Sequence, residues 1–238
     1  MFRRSVLLLL CSILALAGVA ALPTARAQAA GCPNVVNLFA RGTAETAPPV
    51  GITGLAFQNA LQSRLPGRNV QVRPVDYPAS SNFNNREAIV RSVMTGVQDA
   101  QKQITGIVDR CPRTNIVLGG YSQGAVVAAY TVNGGLTMPA RNAEYSWLLP
   151  KQLPEKVASH VAAVVLIAPP SSRWMRDLGA PQLTVGKNYR AKTARYCTPG
   201  DTVCDGSPVG QPNELHVLYP FNGTVDRAAD FAAARVRR

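Results

Sequence analysis

The sequence predicts a three-layer α/β/α fold, a mostly parallel central sheet with helices on both faces. Three observations carry this. Strand-like and helix-like segments alternate from residue 35 to the end of the chain, the order that builds parallel sheets through helical crossovers. Residues 161–168, VAAVVLIA, form an unbroken apolar run, the pattern of a strand buried on both faces. Between residues 84 and 111 the apolar positions Ile89, Val93, Val97, Ala100, Ile104 and Ile107 recur every three or four residues, which marks one long amphipathic helix.

The elements follow in order. Residues 1–27 read as an export leader: Arg3 and Arg4 give a positive start, an apolar stretch follows, and Ala25-Arg26-Ala27 is a small-x-small cleavage site. Ser12 and Pro23 break that stretch and leave it short for a membrane anchor. Leu10 before Cys11 argues against a lipoprotein cysteine. Residues 28–238 then suffice for one domain with a single core. Residues 35–40 are a short buried strand, 55–65 a helix, and 70–75 an alternating strand. After the long helix come a strand at 115–118, a small-residue helix at 124–132, the apolar strand at 161–168, a last strand at 189–196 and a closing helix at 224–236. In such sheets ligand sites form beyond the carboxyl ends of the strands. Residues 134–155 follow a helix instead, so they are expected to leave from the opposite edge and not to cover a site.

Charge and cysteines narrow the function classes. Without the leader's arginines the formal charge falls from +12 to +9, spread along the chain rather than gathered in blocks. Spread charge suits a solvated surface and allows peripheral contact with an anionic membrane or cell wall. No basic stripe with aromatics is present, so nucleic acid is not an expected partner. Cys32, Cys111, Cys197 and Cys204 remain after the leader, an even number that suits an oxidising compartment. Four cysteines allow three pairings; Cys197/Cys204 is the natural local bridge, which leaves Cys32 with Cys111. With two histidines and no CxxC, no metal or cofactor is expected.

The chemistry is concentrated in GYSQG, residues 120–124. A tight strand-to-helix turn would use small residues in any case, but a serine there is the pattern of a nucleophile elbow, where a strained turn exposes the hydroxyl. Ser122 needs a base. His160 precedes the apolar strand, at the wrong edge of the sheet, whereas His216 lies in the last loop before the closing helix. The imidazole needs a carboxylate to orient it. Of the acids between serine and histidine, Asp177, Asp201 and Asp205 follow strands. Asp201 alone sits inside Cys197–Cys204, beside Pro199 and Gly200, where a bridge would hold it. The order Ser122, Asp201, His216 is that of α/β hydrolases. Amide donors for an oxyanion are expected from Gln123, after the nucleophile, and Thr43, in the loop after the first strand. Phe83, Trp174, Val209, Leu215 and Val217 occupy loops at the crevice edge and are the candidate acyl contacts.

Four stretches in this order, LFARGTAET, LGGYSQG, YCTPGDTVCDG and LHVLY, resemble the cutinase family of secreted serine esterases, above all its bacterial cutinase-like members. The resemblance covers nearly the whole chain after the leader. It implies a small, lidless, monomeric α/β hydrolase acting on an ester, an acyl lipid or polyester. It also implies the triad Ser122, Asp201 and His216, an oxyanion hole from Thr43 and Gln123, and disulfides Cys32–Cys111 and Cys197–Cys204. Two departures concern substrate range: Thr43 stands where fungal members carry serine, and residues 134–155 look like an insertion beside a longer 204–216 spacing. The rival readings are an acetylxylan-type esterase and a non-catalytic envelope-binding protein.

Overall fold

Five strands form one sheet in the computed structural model, which describes residues 31–237; the expected leader at 1–27 lies outside them. β1 (Val35–Ala40), β2 (Val70–Pro74), β3 (Asn115–Tyr121), β4 (Val161–Ile167) and β5 (Thr193–Tyr196) are ordered β2-β1-β3-β4-β5, and every pair is parallel. The helices are α1 (Gly51–Ser63), α2 (Arg86–Arg110), α3 (Gln123–Thr131), α4 (Ser172–Leu178) and α5 (Thr224–Ala233). The two-residue strand period sorts the core. Val36, Leu38 and Ala40 of β1 point into the layer built on α2 and α3, while Val35 and Phe39 point into the layer of α1 and α5. α3 is buried all round, as its run of small and apolar residues requires. Among the described residues no helix is long and apolar enough to cross a membrane.

Strand order reverses between β1 and β3, and at such a switch point the loops leaving the carboxyl ends part and open a crevice. The loop after β1 carries Thr43, and the turn after β3 carries Ser122.

Several boundaries differ from the sequence reading for identifiable reasons. α1 starts at Gly51 rather than 55, because Glu45 supplies its cap from outside the helix: the carboxylate accepts from the Ile52 N–H at 3.1 Å. β3 continues through Gly119, Gly120 and Tyr121 beyond Leu118. Glycine is poor strand material, but a Cβ on Gly119 would meet the Phe39 ring at 2.6 Å and one on Gly120 the Gly124 carbonyl at 2.1 Å. The last strand is shortened to Thr193–Tyr196, the stretch with partners on β4, and Lys187–Lys192 is a 3-10 turn. α4 was not foreseen, although Ser171 caps it at Trp174 N and Gly179 closes it with φ 68°.

The expectation for residues 134–155 is corrected. The segment leaves the end of α3 but climbs back along α2, where Ala140–Leu148 forms a 3-10 stretch. There Asn142, 2% exposed, accepts from Arg86 at the start of α2 and donates to Gly179 O at the end of α4. Connectivity alone put this segment at the far edge; a buried amide anchors it at the near one.

Candidate active site

Ser122 sits between the last residue of β3 and the first of α3 with φ 54° and ψ −118°. A side chain with positive φ is strained, and two contacts hold the turn. Ser122 N–H donates to Ile167 O at 2.9 Å, and Ser122 O accepts from Ala125 N at 2.9 Å. The flanking glycines allow the helix to press onto the sheet: a Cβ on Gly124 would lie 2.0 Å from Ala40 O. The hydroxyl is thus fixed above the β1/β3 crevice.

His216 lies in the 3-10 turn Glu214–Val217 and is 5% exposed. Its Nε2 is 2.9 Å from Ser122 Oγ, and its Nδ1 is 3.0 Å from each oxygen of Asp201. A neutral imidazole with its proton on Nδ1 donates to the carboxylate and leaves Nε2 free to accept from the serine. Asp201 is fully buried. Burial pushes its carboxyl up, but the hydrogen bonds from His216, from Tyr219 Oη at 2.7 Å and from Val203 N at 3.0 Å together hold it below its ordinary value. The acid is a carboxylate with a place for each lone pair. Both disulfides are present, Cys32–Cys111 and Cys197–Cys204, and the second closes the short ring that contains Asp201.

Thr43 and Gln123 line the same cavity as Ser122, and neither backbone N–H has a protein acceptor among the described residues. The Thr43 loop is pinned from three sides. Glu45 accepts from Gly42 N at 2.6 Å, Ala44 N donates to Ala79 O at 2.9 Å, and Arg41 donates to Tyr77 O at 2.6 Å. Gln123 is held by its side chain, which donates to Ser80 O at 3.0 Å. Two free amides, one on a pinned loop and one at the first residue of α3, form a site where developing negative charge could be received.

A cavity of about 650 Å³ opens beside Ser122. Of the five candidate acyl contacts, Phe83, Trp174 and Val217 line it. Val209 and Leu215 do not, and they are corrected here. Val209 stays outside the lining although its N–H donates to Asp177 of α4, and Leu215 packs against Gly200 of the Asp201 ring. In a 3-10 turn consecutive residues face three directions, so His216 points inward, Val217 to the mouth and Leu215 sideways. His160 ends the 3-10 turn Glu155–His160 at the amino end of β4, away from Ser122. Sequence reasoning missed three supports. Tyr219 holds Asp201, Tyr121 Oη donates to His216 O, and Glu45 ties the Thr43 loop to α1. Tyr219 and Tyr121 fall within LHVLY and LGGYSQG, so the signal was present, but a tyrosine has no spacing rule that announces a hydrogen bond.

A family model described as cutinase matches residues 31–236. Culp7 of Mycobacterium tuberculosis is 39% identical over 176 residues, 73% of this chain and 89% of that protein. Carboxylesterase Culp1 of the same organism is 37% identical over 212 residues, 88% of this chain and 85% of that protein. The chain belongs to the cutinase family. Among solved structures, a Trichoderma reesei cutinase with a phosphonate inhibitor is 29% identical with a TM-score of 0.61, covering 87% of this chain and 78% of that one. Cutinase-like ester hydrolysis is accordingly the reaction class, and the α/β/α architecture read from the sequence is that of the family.

Proposed function

We propose that the protein is an exported serine esterase in which Ser122 is the nucleophile, His216 the general base and Asp201 the orienting carboxylate. The observation that carries this is the 2.9 Å contact from His216 Nε2 to Ser122 Oγ, backed by a buried carboxylate at the other ring nitrogen. His216 removes the serine proton as Oγ attacks the ester carbonyl, and Thr43 and Gln123 N–H receive the oxyanion. The imidazolium, stabilised by Asp201, returns the proton to the leaving alcohol. Water then attacks the acyl-enzyme by the same route, and the carboxylic acid leaves. A non-catalytic envelope binder has no use for a strained serine in contact with a histidine. The scattered basic surface suits peripheral contact with an anionic envelope, the two disulfides suit an oxidising compartment, and residues 1–27 supply the leader.

The mouth is rimmed by exposed Ile52, Phe83, Val217 and Phe221, and among the described residues no element is folded across it. Soluble monomeric esters should be hydrolysed, with no sharp rise in rate once the substrate exceeds its solubility. A steep rise at that point, with negligible rate below it, would argue against an open site.

The two disulfides should act differently. The Cys197–Cys204 ring spans eight residues, worth about 2–3 kcal/mol on loop entropy, against about 4–5 kcal/mol for the Cys32–Cys111 loop. Asp201, however, must stay within reach of His216, and a shift of about 1 Å can cost a hundredfold in rate. Cys197→Ser/Cys204→Ser should therefore lose far more kcat than Cys32→Ser/Cys111→Ser, and the latter more melting temperature. Equal kcat for the first pair and the parent, measured well below melting, would show that the ring does not position the acid.

A further inference from the structure

We propose that the cavity beside Ser122 is a blind channel for a linear acyl chain, running along the seam between α2 and α3 and admitting about ten carbons. This rests on the serine-esterase reading. The channel follows from helix period. Val126 and Tyr130 stand one turn apart on one face of α3, which Ser122 precedes at the cap position, and all three residues line the cavity. Opposite them, Ile89, Val90 and Val93 repeat on one face of α2 and line it too. α4 contributes Trp174 and Met175, and the climbing segment contributes Met138 and Asn142. The inserted-looking stretch is thereby a wall of the channel.

Exposure changes sharply along the cavity. At the mouth Phe83 is 57% and Val217 62% exposed, whereas Met175 and Tyr130 are each 2% exposed. A groove open along its length would not show that drop. Two of the inner polar groups are committed to the protein, whereas the Trp174 indole N–H has no partner among the described residues. Tyr130 Oη donates to Pro181 O, and the Asn142 amide is shared between Arg86 and Gly179 O. Apart from that single indole donor, the surface facing the seam is aliphatic, thioether and aromatic, which suits methylenes and offers a sugar ring few partners. Methionines at three walls, Met94, Met138 and Met175, can also adapt to a flexible chain.

Length follows from the same geometry. From Ser122 at the cap of α3 to Tyr130 near its end is eight residues, a rise of about 12 Å, which an extended chain of about ten carbons would span. Each methylene moved from water into the channel should raise reactivity about fourfold, until Tyr130 ends the channel. Val126 is one turn below the nucleophile, about 6 Å along the axis. A phenylalanine there should cap the channel after about four or five carbons.

The test is the second-order rate at which p-nitrophenyl alkylphosphonates, from ethyl to hexadecyl, inactivate the full protein below their aggregation limits. The rate should climb with each carbon to about ten and then stop climbing, and Val126→Phe should move that break to about four or five. Val93→Phe, on the facing wall, serves if Val126→Phe melts early, and should also shorten the break. Labelling at every length with no dependence on length, or a break unmoved in a folded variant, overturns the channel and leaves the esterase standing. No labelling at any length, together with no hydrolysis of short esters, overturns the esterase reading itself.

Discussion

Replacing Ser122 by alanine lowers kcat for ester hydrolysis by about five to six orders of magnitude and leaves the fold intact. The size follows from what is removed. Without Oγ no acyl-enzyme forms, and the rate that remains is that of water attacking a carbonyl polarised by two amides. The fold survives because the turn is held by backbone contacts, from Ser122 N to Ile167 O and from Ala125 N to Ser122 O, which alanine keeps. Alanine also keeps the strain of φ 54°. Glycine does not, so Ser122→Gly should be as inactive as Ser122→Ala yet melt higher, by about 1 kcal/mol in stability. Activity within about tenfold of the parent in either variant would remove Ser122 from its role.

His216→Gln should fall nearly as far, while His160→Gln, at the other edge of the sheet, keeps most of the activity. The double variant Ser122→Ala/His216→Gln should be no slower than either single change, because the two groups act as one unit. Additive losses would mean that they act separately. Asp201 carries a pH dependence of its own. Its carboxyl is held below the ordinary value by His216, Tyr219 and Val203 against the opposing push of burial. Its contribution to stability is therefore complete above the ordinary carboxylate value and is lost only as pH falls through the lowered one. Melting temperature should therefore show no loss traceable to Asp201 until the pH falls below the ordinary carboxylate value.

Period and punctuation made the sheet legible. β1, β4 and α3 lie within a residue or so of their expected ranges, because strands and helices buried on every side are written as unbroken apolar or small-residue runs. β3 was read short at Leu118, since Gly119 answers to Phe39, far away in the chain, and Gly120 to the Gly124 carbonyl in the first turn of α3. The core of the site was legible for a different reason. Ser122, Asp201 and His216 each sit at a carboxyl-edge loop, and only one histidine of two satisfies that placement. Pairwise side-chain chemistry was not legible. The bond that Tyr219 donates to Asp201 depends on a distance that no local pattern encodes, and the one Glu45 accepts from Gly42 N, three residues away, has no spacing rule that announces it. The path of residues 134–155 was misread because connectivity says where a segment starts, and here the hydrogen bonds of Asn142 decide where it goes.

The central claim, a single activated serine at the β3–α3 turn, is tested most directly by titration with diethyl p-nitrophenyl phosphate. The tryptic peptide spanning residues 114–141 contains Ser122 as its only serine. The expected result is one equivalent of p-nitrophenol per protein, esterase activity lost in proportion, and the phosphoryl mass on Ser122 in that peptide. His216→Gln should suppress the reaction almost completely. Full ester turnover in protein that takes up no phosphoryl group, or a stoichiometric adduct on any other peptide, would contradict the account.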